Sequence, residues 1–105
     1  MVTHLVLFKF RDRSPDHLSH CQSLLDGLRA KVDVIRDLET GLNVVPSARA
    51  YDLSLIIHFD SLEDLATYQS HPDHVEVATY LRSAAESVGS VDYTTPATAT
   101  APSNL

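Results

Sequence analysis

A chain of 105 residues, 44% of them hydrophobic, is long enough for one domain with a core and too short for two. Fourteen acids against eight bases give a net charge of −6, and the bases lie scattered from Lys9 to Arg82. That excludes the basic stripe of a nucleic-acid binder and the polybasic patch of a membrane-surface protein.

Thr3 to Phe10 begins the chain with two interleaved sets, His4, Val6, Phe8, Phe10 and Thr3, Leu5, Leu7, Lys9. Both are largely apolar, as in a strand covered on two sides. Because Met1 leads into this strand at once, no signal peptide is expected, and a cytoplasmic location is the simplest expectation. Ser14-Pro15 supplies an N-cap and a first helical residue, and Leu18, Cys21, Leu25, Leu28 and Val32 then recur at helical spacing. An amphipathic helix from Pro15 to about Val34 follows. Cys21, alone among leucines, cannot form an intrachain disulfide and reads as a buried packing thiol with no basic partner near it in sequence.

Asp37 to Val45 reads as a second strand, with Leu38, Leu42 and Val44 on one face, and residues 46–50 as a loop. Tyr51 to Phe59 is the clearest strand, alternating Tyr51, Leu53, Leu55, Ile57, Phe59 with Asp52, Ser54, Ile56, His58. Ser61-Leu62-Glu63-Asp64 begins a short helix to Gln69 in the manner of a capping box. Pro72 opens another helix, whose stripe is His74, Ala78, Leu81, Ala85 and Val88, and Gly89 ends it. Ser90 to Thr94 is a last short strand. Residues 95–105, rich in Thr, Ala and Pro, are expected as a mobile tail.

Strand, helix, strand, strand, helix pair, strand is the split βαβ arrangement of a ferredoxin-like α+β domain over residues 1–94, with the helices on one face of an antiparallel sheet. The other face is then bare and carries Leu5, Leu7 and Ile56 beside Thr3, Lys9, Asp52, Ser54 and His58. A second copy of the same sheet is the simplest cover, so a homodimer through the open face is expected. His58 would face the partner sheet, while His17 and His20 fall at the surface.

Chemistry concentrates in Tyr68-Gln69-Ser70-His71-Pro72-Asp73-His74. Phenol and imidazole side chains in a pocket suit proton movement near neutral pH. His74 lies on the apolar stripe of its helix. It is read either as a base acting with Tyr68 as oxyanion donor or as a core histidine with a satisfied ring. His71, just before Pro72, suits a cap. His4, on the inward face of the first strand, either lines a pocket or fills it. His71, Asp73 and His74 do not converge as a metal set, because His71 precedes the helix and Asp73 points away from His74. No glycine-rich phosphate loop is present, and no cofactor is expected.

The opening Thr3-His4-Leu5-Val6-Leu7-Phe8-Lys9-Phe10, the pair Tyr51-Asp52 leading to Leu53, the element Tyr68-x-x-His71-Pro72-x-His74 and the closing Val91-Asp92-Tyr93 resemble the stress-responsive A/B barrel (Dabb) family, in order from residue 3 to 94. The resemblance implies a dimeric α+β barrel of two ferredoxin-like sheets packed face to face. One member, plant olivetolic acid cyclase, closes a linear polyketide thioester by an intramolecular aldol condensation with a Tyr and a His, which correspond by motif to Tyr68 and His74. The histidine opening its first strand corresponds to His4, and a further pocket histidine falls at Leu53, so this pocket is less polar. The implied site is Tyr68 and His74 as catalytic residues, with His4, Leu53 and His71 as substrate contacts. Three functional readings stand together: a stress-associated protein holding a small, largely apolar molecule, a cofactor-independent polyketide cyclase or lyase, or a purely structural dimer whose site is only packing.

Overall fold

Ser14 sits in extended backbone and its hydroxyl accepts from the His17 amide at 3.3 Å, so the first helix begins where its sequence signal places it. A computed structural model describes residues 1–96. Its elements are β1 (Val2–Phe10), α1 (Pro15–Asp26), α2 (Leu28–Lys31), β2 (Asp37–Leu42), β3 (Leu53–Phe59), α3 (Leu62–Ser70), α4 (Pro72–Ala84) and β4 (Ala85–Thr94). The sheet order is β2-β3-β1-β4 with every neighbouring pair antiparallel. With α1, α3 and α4 on one face, this is the expected ferredoxin-like α+β architecture. No helix among the described residues is long and apolar enough to cross a membrane.

Alternation in β1 and β3 decides the core. Val6, Phe8 and Phe10 of β1 and Leu53, Leu55, Ile57 and Phe59 of β3 are all buried on the helix side, where Cys21, Leu25 and Leu28 meet them. Cys21 is fully buried as expected, and burial pushes its thiol pKa up. The ring of His17 nevertheless lies beside it, with Nε2 3.6 Å from the sulfur, which corrects the expectation of no basic neighbour. A helical turn brings residues four apart together even when the intervening sequence hides the pairing. The opposite sheet face is uncovered in a single chain. On it Leu5 stands between Ile56 and Val91 in register, an apolar row across three strands.

Several boundaries differ from the sequence expectation. The first helix is interrupted at Gly27 and ends at Lys31, because Val32 turns to extended backbone and enters the core at 1% exposure. Strand β2 ends at Leu42, opposite the first residue of β3, and Val44, expected on the buried face, is 88% exposed. Strand β3 starts at Leu53 because Asp52 is drawn toward β1. The Asp52 amide donates to the Phe8 carbonyl at 2.8 Å, and its carboxylate accepts from the Phe10 amide at 2.8 Å and Arg13 Nε at 3.1 Å. Asp52 is thus a staple on the end of β1 and not part of the bare face.

The largest change is at the end of α4. The helical stripe expected through Val88 stops at Ala84, and Ala85 to Thr94 form a full-length edge strand against β1. Ladder hydrogen bonds along the nine residues of β1 outweigh the local helical pattern of Ala85 and Val88. The tail expected from residue 95 lies outside the described residues from 97 onward. Thr95 itself is tied to the first residue, its amide donating to the Met1 carbonyl at 2.9 Å and its carbonyl accepting from the Met1 ammonium at 3.0 Å.

His71 caps α4. Its Nδ1 accepts from the Asp73 amide at 3.1 Å, with Pro72 as the first helical residue. His71→Ala is expected to lower unfolding stability by about 1 kcal/mol, and His71→Asn to keep most of it, since an N-cap acceptor satisfies an otherwise unpaired helix amide. Urea denaturation of the two variants checks this, and equal loss in both rejects the cap.

Candidate active site

Between α4 and the β1–β4 half of the sheet lies a cavity of about 470 Å³. It exists because β4 presents Val88, Ser90 and Asp92 toward the helices, where β3 presents large apolar residues. Val6, Phe8, Leu25, Leu55, Val77 and Leu81 form its apolar walls. His4, Tyr68, Gln69, His74 and Arg82 add polar groups to the lining. The volume is in the range of small-molecule sites.

Tyr68 comes from the last turn of α3 and is 0% exposed. Its ring is held by Phe59 at 5.2 Å and by His74 at 4.2 Å between centroids, with His4 edge-on at 5.9 Å. Its hydroxyl is buried and has no hydrogen-bond partner among the described residues. Burial also drives the phenol pKa well above its ordinary value, so the group stays a neutral O–H donor.

His74 is half-buried on α4. Its Nδ1 donates to the Gln69 carbonyl at 3.1 Å, because a carbonyl can only accept. Nε2 is then the free lone pair of the neutral ring. Burial, the largest influence, lowers the His74 pKa and outweighs the Gln69 hydrogen bond, with the charges of His4, Arg82 and His71 acting in the same direction as burial. A depressed pKa has a defined sign in stability. Above the ordinary histidine range the ring is neutral folded or unfolded; as pH falls below it, the unfolded chain takes up a proton that the folded chain resists. Wild-type protein is therefore expected to lose more stability than His74→Asn between pH 7 and pH 5, down to the lowered folded pKa. Parallel thermal melts across that interval check this; identical pH profiles reject it.

His4 is 7% exposed on β1, and its Nδ1 donates to the carboxylate of Asp92, which lies directly opposite on β4. The contact fixes the imidazole orientation and leaves Nε2 as its other polar atom. Asp92, Arg82 and Gln69 were not singled out by sequence reading. Asp92 becomes legible only once β4 is registered against β1, and Arg82 only from its spacing of eight residues after His74 on one helix.

The cavity brings together Tyr68, His74 and His4. It does not bring in Leu53 or His71, the other two expected substrate contacts. Leu53 pairs with Phe8, well along the strand from the His4–Ile57 pair, and is 1% exposed in the core. It borders a separate shallow concavity with Leu7, Leu42 and Tyr51. His71 is committed to its cap and stands outside the cavity lining. With His71 bound to the Asp73 amide and His74 to Gln69, these residues do not form a metal set, and no cluster of three potential ligands occurs among the described residues.

The chain matches the stress responsive A/B barrel domain (Dabb) over residues 2–95. It is 35% identical over 80 residues to a stress-response A/B barrel domain-containing protein of Arabidopsis thaliana, covering 73% of this chain and 30% of that one. The chain thus spans less than a third of that relative's length. A dimeric protein of unknown function and ferredoxin-like fold from Bacteroides fragilis superposes with a TM-score of 0.77 at 36% identity, over 90% of this chain and 95% of that chain. The hydroxynitrile lyase of Passiflora edulis shares the fold, with a TM-score of 0.81 at 18% identity over 92% of this chain and 94% of that one. A domain matched from its first strand to its last, around a Tyr-x-x-His-Pro-x-His helix junction that builds one wall of the cavity, belongs to the stress-responsive A/B barrel family.

Proposed function

We propose that the chain forms a homodimer through its open sheet face, and that each subunit holds one small, largely apolar molecule in the cavity between α4 and the sheet. The observation that carries the reading is the buried Tyr68 hydroxyl with no partner among the described residues. Leaving such a donor unpaired costs about 1–3 kcal/mol, which a ligand oxygen accepting from it would recover. Apolar walls supply the remaining affinity by removing ligand surface from water. The dimeric state described for the Bacteroides fragilis relative supports the same assembly here.

A second reading, cofactor-independent cyclase or lyase chemistry, is favoured by the free Nε2 of His74, whose ring lies 4.2 Å from the Tyr68 ring between centroids. In it, Nε2 takes a proton from the carbon next to a carbonyl, and the C–H electrons pass into the enolate, whose oxygen is held by Tyr68. The enolate carbon then attacks a second carbonyl in the same molecule, and the protonated ring returns its proton to the new alkoxide. His4, oriented by Asp92, positions the substrate. The lyase of Passiflora edulis is an enzyme of this fold.

Binding is tested by titrating isotope-labelled protein with 2-octanone and following amide resonances. Shifts concentrated at Val77, Leu81 and the Tyr68–His74 segment support the cavity; their absence at millimolar ketone rejects it. Catalysis is tested by deuterium uptake next to the carbonyl of 2-octanone in heavy water. Exchange above the buffer rate that disappears in a folded His74→Ala supports the acid–base reading, and exchange at the buffer rate leaves the binding reading alone.

A further inference from the structure

Arg82, in the last turn of α4, places a cation in the lining of the cavity. Ala84 passes directly into Ala85, so α4 folds back along β4, with its last turn beside the start of that strand and its first turn beside Asp92 and His4. His74 lies in the first turns of α4 and Arg82 in the last, about 12 Å apart along the axis at 1.5 Å per residue. Both line the same cavity, with Val77 and Leu81 between them.

Arg82 makes no hydrogen bond or ion pair among the described residues, unlike four other arginines. Arg11 donates to the Ser83 carbonyl, Arg29 to the Leu38 carbonyl, Arg13 bridges Asp52 and Glu86, and Arg36 holds Asp60. Glu86, four residues on, would be its natural helical partner. The helix ends before it, and Glu86 pairs with Arg13 instead. The acid in the cavity lining, Asp92, is engaged by His4.

We infer that the ligand is an apolar oxo acid, a molecule with a carbonyl at one end, a carboxylate at the other and a spacer of about five methylenes between them, set by the helical distance. Its carbonyl oxygen accepts from the Tyr68 hydroxyl, its spacer lies against Val77 and Leu81, and its carboxylate pairs with the guanidinium of Arg82. This deepens the cavity reading and rests on it. A planar guanidinium suits a carboxylate through paired hydrogen bonds, and it holds its charge across the whole physiological pH range.

Three ligands of one length separate the contributions by calorimetry: 7-oxooctanoate with both groups, octanoate with the acid alone and 2-octanone with the ketone alone. In wild-type protein the oxo acid is expected to bind about fivefold more tightly than either single-group ligand, the gain of one partly exposed ion pair or one hydrogen bond. Arg82→Gln should weaken 7-oxooctanoate and octanoate about fivefold and leave 2-octanone unchanged, Arg82→Lys should restore part of the loss, and 0.5 M salt should mimic the Gln variant. Tyr68→Phe should weaken the two carbonyl ligands and spare octanoate. If 7-oxooctanoate binds no better than 2-octanone, or if Arg82→Gln weakens all three equally through the end of α4, the oxo-acid inference is overturned while ketone binding keeps the cavity reading. If none of the three reaches the cavity, both fall.

Discussion

Tyr68→Phe is expected to make the unliganded protein more stable, by about 1 kcal/mol, and to weaken any carbonyl ligand of the cavity. The ring is locked by Phe59, His74 and His4, and phenylalanine keeps all of those contacts. What it removes is a fully buried hydroxyl without a partner among the described residues, and the desolvation of that group is a cost only the folded state bears. For a domain of this size the gain corresponds to a rise in Tm of roughly 4–8 °C. Tyr68→Ala serves as the contrast, because it also deletes the ring and should lose about 3 kcal/mol or more to the cavity it creates. Thermal and urea unfolding of both variants, alongside titration with 2-octanone, provide the measurement. A purely packing role for Tyr68 predicts that phenylalanine, which keeps those contacts, leaves ligand binding unaffected. Stability gained together with binding lost is the signature of a donor kept for a ligand.

Ile56→Lys is expected to convert the proposed dimer to a monomer of 11.6 kDa with its fold intact. Ile56 faces away from the helices and pairs with Leu5, which pairs in turn with Val91 on β4. These residues are only partly covered in the single chain, and Val91 remains 51% exposed, so they lie outside the monomer core and the proposed dimer would bury them. An interface about a two-fold axis would bury the new lysine twice, once from each copy. An unpaired buried charge costs several kcal/mol, enough to weaken association by a hundredfold or more. Sedimentation at micromolar concentration distinguishes the outcomes. Wild type should run at twice the monomer mass and the variant at the monomer mass, with unchanged far-ultraviolet circular dichroism. A wild-type protein that sediments as a monomer refutes the proposed dimer, and a variant that stays dimeric places the interface elsewhere.

The parts of this molecule legible in the chain are those encoded by short-range periodicity. Alternation in Thr3–Phe10 and Tyr51–Phe59 assigns each side chain to a face, so the helix-side core and the open face both follow from residue order. Ser14-Pro15 and Ser61 mark helix starts because a cap is a bond across two or three residues, and His71 is placed as a cap for the same reason. The helix junction that places Tyr68 beside His74 is equally local, since Pro72 sets the turn between them.

What local pattern could not decide was settled by partners distant in sequence. Residues 85–88 carry a helical pattern and become strand because β1 offers them a ladder of hydrogen bonds. Asp52 leaves the expected strand face because two groups of β1 and Arg13 compete for it. The site divides along the same line. Tyr68 and His74 are neighbours in the chain, whereas His4 meets Asp92 across 88 residues only through sheet register. The exclusion of Leu53 from the cavity and the isolation of Arg82 in its lining likewise depend on where β4 begins and on which acid its neighbours claim. Periodicity fixes which way a side chain faces; only the packed sheet and helices determine what it meets there, because that is set by hydrogen-bond competition among groups the chain order keeps apart.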